Sequence, residues 1–301
     1  MDDDAVYRVH DCTAGCHTDI ERRETGMEHT FVICAYRESP YIEECIRSLK
    51  QQTCPSRLLL STATPGRHLE ELCERYGIAY YVREGKASIS EDWNYALSLA
   101  NTPYVTLAHQ DDLYEPAYTE TIVHAAEQAC EEGRSPLFLF TDYWELLGTG
   151  KYANRRNLKI KKFLLNPLKR KQRQDRRFWK RHVLRFGNAI SCPTVTYHKR
   201  YLDEILQREQ RSALFAKHFR SNLDWQTWEW LSRKEGSFVY VPKLLMAHRI
   251  HEGSETSAVI CDNRRRQEDY EMFCKFWPQW IAKCITGLYS ESEKDNKVTI
   301  E

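Results

Sequence analysis

Two carboxylates stand side by side at Asp111 and Asp112, after the apolar run Thr106-Leu107-Ala108 and the pair His109-Gln110. Adjacent aspartates at a strand end offer hard oxygen ligands for Mg2+ or Mn2+, and such an end opens onto a crevice. The same pair could instead cap the helix that follows. A second group, His10, Cys12, Cys16 and His17, could in principle bind zinc, but its C-x3-C spacing is poor and no second ligand pair follows. From Lys159 to Arg185 twelve Lys or Arg stand against one Asp, interleaved with Phe163, Leu164, Leu165, Phe178 and Trp179. That pattern suits a solvated helix face, a surface docked on anionic lipid headgroups, or a nucleic-acid patch. No recognised nucleic-acid-binding fold accompanies it, so no nucleic-acid partner is expected.

The elements that must position the carboxylates read as repeated strand and helix. Phe31 to Ala35 is a β-branched apolar run, a strand buried on both faces. Ser39 and Pro40 then stand as N-cap and first residue of a helix with Tyr41, Ile42, Cys45, Ile46 and Leu49 on one face. Leu58 to Leu60 is a second strand, His68 to Tyr76 a helix stopped by Gly77, and Ala79 to Val82 a third strand. Gly85-Lys86 leads into a helix from Ile89 to Leu99 with Trp93, Ala96, Leu97 and Ala100 as its apolar stripe and Asp92 on another face. Tyr104 to Ala108 is the strand that delivers the carboxylates. This order predicts a mainly parallel α/β sheet with helices on its faces and ligands at the carboxyl ends of its strands.

Downstream, Tyr118 to Cys130 reads as a helix, and Pro136 to Asp142 as a core strand whose terminal Asp142 lines the cleft or caps. Gly187 to Pro193 precedes a strand at Thr194 to Tyr197. Phe238 to Pro242 and Leu244 to Ala247 read as two short strands, and Arg264 to Phe276 as a last amphipathic helix. Trp225 and Trp228 could wall a sugar site, although core packing is the commoner role for tryptophans three apart.

The composition bounds the class. With 301 residues, 42% of them hydrophobic, the chain can bury a large core, and its net charge of +1 exerts no global pull on nucleic acid. Eleven cysteines at scattered spacings without a CxxC pair fit neither a disulfide framework nor a zinc site, so a reducing cytoplasm is expected. No apolar run approaches the ~18 to 20 residues of a bilayer span, and the acidic start is unlike a signal peptide. The expectation is a cytoplasmic protein, soluble or peripheral at the inner face of the membrane.

Three stretches in order, FVICAYRESPYIEECIRSL, EDWNYALSLANTPYV and HQDD, together resemble the nucleotide-sugar half of a family-2 glycosyltransferase with the GT-A fold. The resemblance covers about residues 28 to 255. It implies a Rossmann-like, mainly parallel sheet flanked by helices, with a nucleotide-sugar half at 28–142 and an acceptor half at 143–285 that contains the basic segment 159–185. Residues 1–27 are expected as a flexible leader and 286–301 as a polar tail.

In that family the carboxylate motif holds the metal that bridges the donor's two phosphates. The resemblance therefore makes Asp111 a metal ligand and Asp112 a donor contact. His109 stands where relatives place the first Asp, and could bond ribose or phosphate, complete the metal shell, or be a packed strand-end histidine. Ala35, Tyr36 and Glu38 match the base-binding loop, with Tyr36 to stack on the base. Ser61-Thr62 replaces a base-reading Asp, and Thr62, Lys86 and Asp92 complete the expected donor contacts. The loop Gly187 to Pro193 resembles the acceptor-side loop, or is a tight turn. Asp224 is in register with the catalytic base of inverting members, while Leu223 replaces the acid that usually precedes it. In the stretch His248 to Ser254, Arg249 is implied as electrostatic support and His251 as a metal or phosphate ligand.

These residues imply an inverting, Mn2+- or Mg2+-dependent hexosyltransferase. It would move a sugar from a nucleotide donor, UDP-sugar by default, to a saccharide or lipid-linked acceptor, as in cell-surface polysaccharide or glycolipid synthesis. A sugar-nucleotide nucleotidyltransferase would need a Gly-rich basic loop after the first strand, which AYRESP is not. A non-catalytic binding protein of the same fold would be expected to lose the base, and Asp224 is present.

Overall fold

The computed structural model describes residues 28–251 and 263–297. The leader 1–27 with its Cys/His group, the segment 252–262 and the last four residues lie outside the described residues.

The first half alternates as its periodicity requires. β1 (His29–Ala35) is followed by α1 (Ile42–Lys50), β2 (Arg57–Thr62), α2 (Arg67–Tyr76), β3 (Ala79–Val82), α3 (Ile89–Leu99) and β4 (Tyr104–His109). β3, β2, β1 and β4 lie side by side and parallel, so all four carboxyl ends share one edge. Alternation along β1 builds two cores. Phe31 and Ile33 pack with Ile42, Ile46 and Leu49 of α1, whereas Val32 packs on the other face with Ala96 and Leu97 of α3. α1 begins at Ile42 rather than at Pro40, because Ser39 to Ile42 closes a separate turn in which the Ser39 hydroxyl accepts from the Tyr41 amide at 3.3 Å.

The second half adds β5 (Leu113–Tyr114), α4 (Tyr118–Glu131), β6 (Pro136–Leu147), β7 (Gly150–Tyr152), α5 (Arg156–Leu165), α6 (Arg177–His182), β8 (Val195–His198), α7 (Lys199–Arg208), α8 (Leu223–Ser232), β9 (Ser237–Arg249), α9 (Asn263–Cys274) and α10 (Gln279–Lys297). β8 joins β4 antiparallel and continues the sheet to β6, β9 and β5, with β7 paired to β6. The two short strands expected around Pro242 are one strand. A bulge there lets the register pass from Thr141 opposite Val241 to Asp142 opposite Leu244, which absorbs the proline without ending the ladder. β6 likewise runs on past Asp142, so that residue is no strand end or cap, and its carboxylate accepts from the Tyr240 hydroxyl at 2.6 Å.

Residues 286–297, expected as part of a polar tail, continue α10. Thr286 is buried there, and Tyr289, three residues on and on the same helix face, packs on Trp225 and Phe273. Trp225 and Trp228 are fully buried core residues rather than walls of a sugar site, their indole N–H groups donating to Leu184 and Ile190 carbonyls.

His29 starts β1 wholly buried, its ring nitrogens bonded to the Ser56 and Thr106 hydroxyls at 3.0 and 2.8 Å. Burial drives its pKa down to about 3. The unfolded chain takes up this proton near pH 6.5 and the folded chain does not, so the contribution is full above pH 6.5 and is lost as pH falls toward 3. Between pH 7 and 5 this group alone is expected to remove about 2 kcal/mol of stability. Urea melts of the native protein and His29→Asn check it, since the variant should lose that part of the slope.

Candidate active site

The carboxylates occupy the turn between β4 and β5. Asp112 is fully buried, and one of its oxygens accepts from His248 Nδ1 and from the Arg249 amide, both at 2.9 Å. This ties the turn to the end of β9. Its second oxygen is buried without a hydrogen-bond partner, 3.9 Å from His109 Nδ1, and His109 Nε2 is buried and unpartnered too. The His109 ring stacks on Trp93 of α3 with centroids 5.3 Å apart. The strand-end histidine is thus packed on one face, with Nδ1 turned toward the free carboxylate oxygen and Nε2 unpartnered.

Asp111 lies over this pair, and its Oδ2 stands 2.9 Å from His251 Nε2. Burial pushes the Asp111 carboxyl up, but the charges of His109 and His248 and the bond to His251 outweigh it and hold the group below the usual carboxylate range. Burial likewise opposes protonation of His248, yet the Asp112 charge and hydrogen bond prevail and raise its pKa. Arg249 is committed to the scaffold: Nε donates to the Asp111 carbonyl at 2.9 Å, Nη2 to Glu44 of α1 at 2.5 Å, and the guanidinium sits 4.3 Å over the Tyr41 ring. Tyr41 also packs against His251.

The expected base-binding loop follows β1 at the same edge. Ala35 is buried, while Tyr36 and Glu38 are exposed. Gln110 bonds both the amide and the carbonyl of Tyr36, at 3.1 and 3.0 Å, and Arg37 adopts a left-handed φ of 55° with its amide on Thr64 Oγ1. Thr62 is buried at the end of β2, its hydroxyl accepting from the Thr64 amide. Lys86 is exposed. Asp92 braces its loop, taking Arg83 Nε at 2.6 Å and the Ser88 amide at 3.0 Å, so both its oxygens are engaged inside the protein.

Asp224 sits in the first turn of α8, half-buried, with Asn188 Nδ2 donating to one oxygen at 2.6 Å and the Trp225 amide to the other at 2.7 Å. Burial raises its pKa against these two bonds and the charge of Lys161. The Lys161 charge also opposes protonation of His248.

Sequence reasoning did not single out Gln110, Glu44, Lys161 or the bond from Asn188. Gln110, Asn188 and Glu44 lay inside quoted stretches and Lys161 inside the basic segment, but nothing in the local pattern set any of them apart from its neighbours.

Among the described residues no group of three or more His, Cys, Asp or Glu is arranged to hold a metal. Asp111 and His251, the two expected metal ligands, meet each other directly in a hydrogen bond of 2.9 Å.

The basic segment divides on folding. Lys180 is buried on the Lys234 and Gly236 carbonyls, Arg181 pairs with Glu229, Lys171 with Glu132, and Arg173 stacks on Trp179. Lys159, Lys169, Arg170, Arg176 and Arg177 stay exposed, as do Ile160, Phe163 (78%) and Phe178 (63%). Arg156, Lys159, Ile160 and Phe163 line an open depression on the outer face of α5.

A parallel nucleotide-binding half, an antiparallel extension through β8 and β6, and acidic groups at the shared strand edge define the GT-A glycosyltransferase fold. The family model for glycosyl transferase family 2 matches residues 30–195, more than half of the chain, and the chain belongs to that family. Solved structures agree in fold. S. aureus TarS 1-349 in complex with UDP-GlcNAc is 15% identical, with 86% of this chain and 70% of that chain covered and a TM-score of 0.56. The mannosyltransferase PcManGT from Pyrobaculum calidifontis, in complex with GDP-Man and Mn2+, is 15% identical, with 87% and 70% covered and a TM-score of 0.54. No curated protein matches in sequence.

Because the Asp112 charge sustains the His248 proton, Asp112→Asn is expected to lower the His248 pKa. Heteronuclear NMR of the imidazole nitrogens over a pH series reads this directly, and an unmoved titration would show that the pair does not form in solution.

Proposed function

We propose that this glycosyltransferase inverts configuration at the anomeric carbon of a nucleotide-diphosphate sugar, with Asp224 as base and Asp111 and His251 as ligands for Mn2+ or Mg2+. The observation that carries the reading is the opposite setting of the two carboxylates. Asp111 is held ionised among histidines, as a cation ligand should be, and Asp224 is poised toward protonation by burial, as a proton acceptor should be.

In this reading the acceptor hydroxyl gives its proton to Asp224 as its oxygen attacks the anomeric carbon, and the bond to the diphosphate oxygen breaks on the opposite side. Asn188 fixes the Asp224 carboxylate for that attack. When bound, the divalent ion supplies neutralisation of charge growing on the leaving diphosphate. Two protein ligands suffice, since such ions draw further oxygens from substrate phosphates and water. His109 and Asp112 would flank the donor beside the ion, each keeping one buried polar atom without a partner, with Arg249 supporting the Asp111 backbone. The Tyr36 peptide and ring, with Ala35, Glu38 and Thr62, would receive the base, with Gln110 exchanging its bonds for those of the nucleotide. Lys86 at the exposed loop would meet the phosphates, and Asp92 acts through the loop it braces. UDP is the default nucleotide. The solved relatives bound to UDP-GlcNAc and to GDP-Man with Mn2+ support a nucleotide-sugar donor of this kind.

The expected results are stabilisation of about 3 kcal/mol by UDP with Mn2+ at one hundred times Kd, and loss of transfer by roughly 100- to 10,000-fold in Asp224→Asn with that stabilisation intact. Thermal melts and a donor-consumption assay read both. Full transfer by the variant would remove Asp224 as the base, and no shift with any nucleotide and metal would remove the donor site.

The acceptor is proposed to be a saccharide or lipid-linked molecule met at the cytoplasmic face of an anionic membrane, on which the outer face of α5 and Phe178 dock. Exposed aromatics among unpaired basic residues support this, and no helix among the described residues is long and apolar enough to cross a membrane. The protein should sediment with phosphatidylglycerol vesicles, and Phe163→Glu with Phe178→Glu should weaken that at least about tenfold. Equal sedimentation of the double variant would exclude this face.

A further inference from the structure

We infer that the helix pair α9 and α10 positions the Asp224 carboxylate, with Glu268 and Asp269 as the positioning residues; the consequence for transfer rests on the reading of Asp224 as base.

The chain that enters α8 is gripped from α9. The Glu268 carboxylate accepts from three successive backbone amides, those of Arg220, Ser221 and Asn222, at 2.9, 2.8 and 3.0 Å. The adjacent Asp269 accepts from the Asn222 side chain at 2.7 Å. Asn222 is therefore held by backbone and side chain together, two residues before Asp224. Asn222, Glu268 and Asp269 are all buried. Apolar contact is enough to dock α9 on α8, and the Trp225 and Phe273 rings supply it with centroids 5.1 Å apart. Two neighbouring buried carboxylates add a desolvation cost to that contact. What they add in return is direction, because each amide bond fixes the plane of one peptide.

The second support of Asp224 rests on the same helix pair. Asn188, which donates to one Asp224 oxygen, follows Gly187. Gly187 is pressed on α10, where a methyl group in place of its hydrogen would stand 2.9 Å from the Tyr289 ring. Tyr289 also packs on Trp225, whose amide donates to the other Asp224 oxygen. Both hydrogen bonds that orient the carboxylate thus come from residues seated against α9 or α10. A base must meet the acceptor oxygen at hydrogen-bond distance, and a misplacement of about 1 Å can cost on the order of a hundredfold in rate.

Glu268→Gln leaves one acceptor oxygen for three amides, Asp269→Leu removes the acceptor for Asn222, and Asp269→Asn keeps it. Steady-state donor consumption and 15N NMR of the Asn188 side-chain amide compare these variants, with Glu268→Gln also made in Asp224→Asn. Glu268→Gln and Asp269→Leu are expected to lower kcat at least about tenfold with the donor KM within about twofold, while Asp269→Asn retains most of the activity. The Asn188 amide proton, held downfield by its short bond to a carboxylate, should move upfield in the first two variants only. Added to Asp224→Asn, Glu268→Gln should lower the residual rate by less than about twofold, since an absent base cannot be misplaced. An equal loss on that background, a loss carried by the donor KM, or an unmoved Asn188 signal in folded Glu268→Gln would make the pair general scaffold and overturn the proposal. Should Glu268→Gln fail to fold, Asp269→Leu decides, and activity and an Asn188 signal equal to those of Asp269→Asn would overturn it. Full transfer by Asp224→Asn, with the Asn188 signal still dependent on Glu268, would remove the base and leave the positioning in place.

Discussion

The buried carboxylate of Asp112 is the constraint on which the site depends. It lies in a turn at the end of β4 and takes two hydrogen bonds from β9, a strand that arrives more than 130 residues later. A fully buried charge is tolerated only when such bonds replace water, and removing a partner from it is far more destabilising than removing an exposed ion pair. The turn therefore cannot form as observed unless β9 reaches that edge. Through the guanidinium of Arg249 the same junction grips Glu44, so β4, β9 and α1 are fixed together around Asp111. Only one Asp112 oxygen is used in this bracing, and the other is left aimed at His109.

This division of labour explains what the sequence could and could not disclose. The strands and helices of the first half were legible because burial on two faces produces unbroken apolar runs, and one-faced burial produces the helical period. The HQDD stretch stood out because two carboxylates directly follow a strand, but that position alone left a helix cap and a metal ligand equally open. Its internal roles were hidden, since Asp111 and Asp112 differ only in which of them faces His248, Arg249 and His251. The boundaries failed where an irregularity absorbed a breaker: the bulge at Pro242 keeps β9 continuous, and β6 passes Asp142 without stopping. The end of α10 was missed although Ala282, Thr286 and Tyr289 fall at helical spacing, because residues 290–297 are polar throughout and carry no apolar period of their own.

Counting charge along the chain was a poor guide to charge in space. Of the twelve cations between Lys159 and Arg185, some satisfy carbonyls, some neutralise buried acids such as Glu229, and some stack on rings. Residues two apart, Lys159 and Lys161, end on opposite faces of α5, one in solvent and one half-buried with its ammonium on the Tyr143 hydroxyl. A helix with this arrangement can bring an external surface and an internal cation into one rigid piece, which a loop with the same composition could not hold.

The electrostatic layout then limits the order in which charge can enter the cleft. Asp111 and the free Asp112 oxygen make the β4 end negative, so an anionic diphosphate is repelled there unless cations come with it. The nearby histidines and Arg249 offset part of that field, but Arg249 is already matched by Glu44. Were Asp224 the base, as proposed, it would shed charge by taking a proton when the acceptor reacts, and its burial favours that change while the charge of Lys161 opposes it.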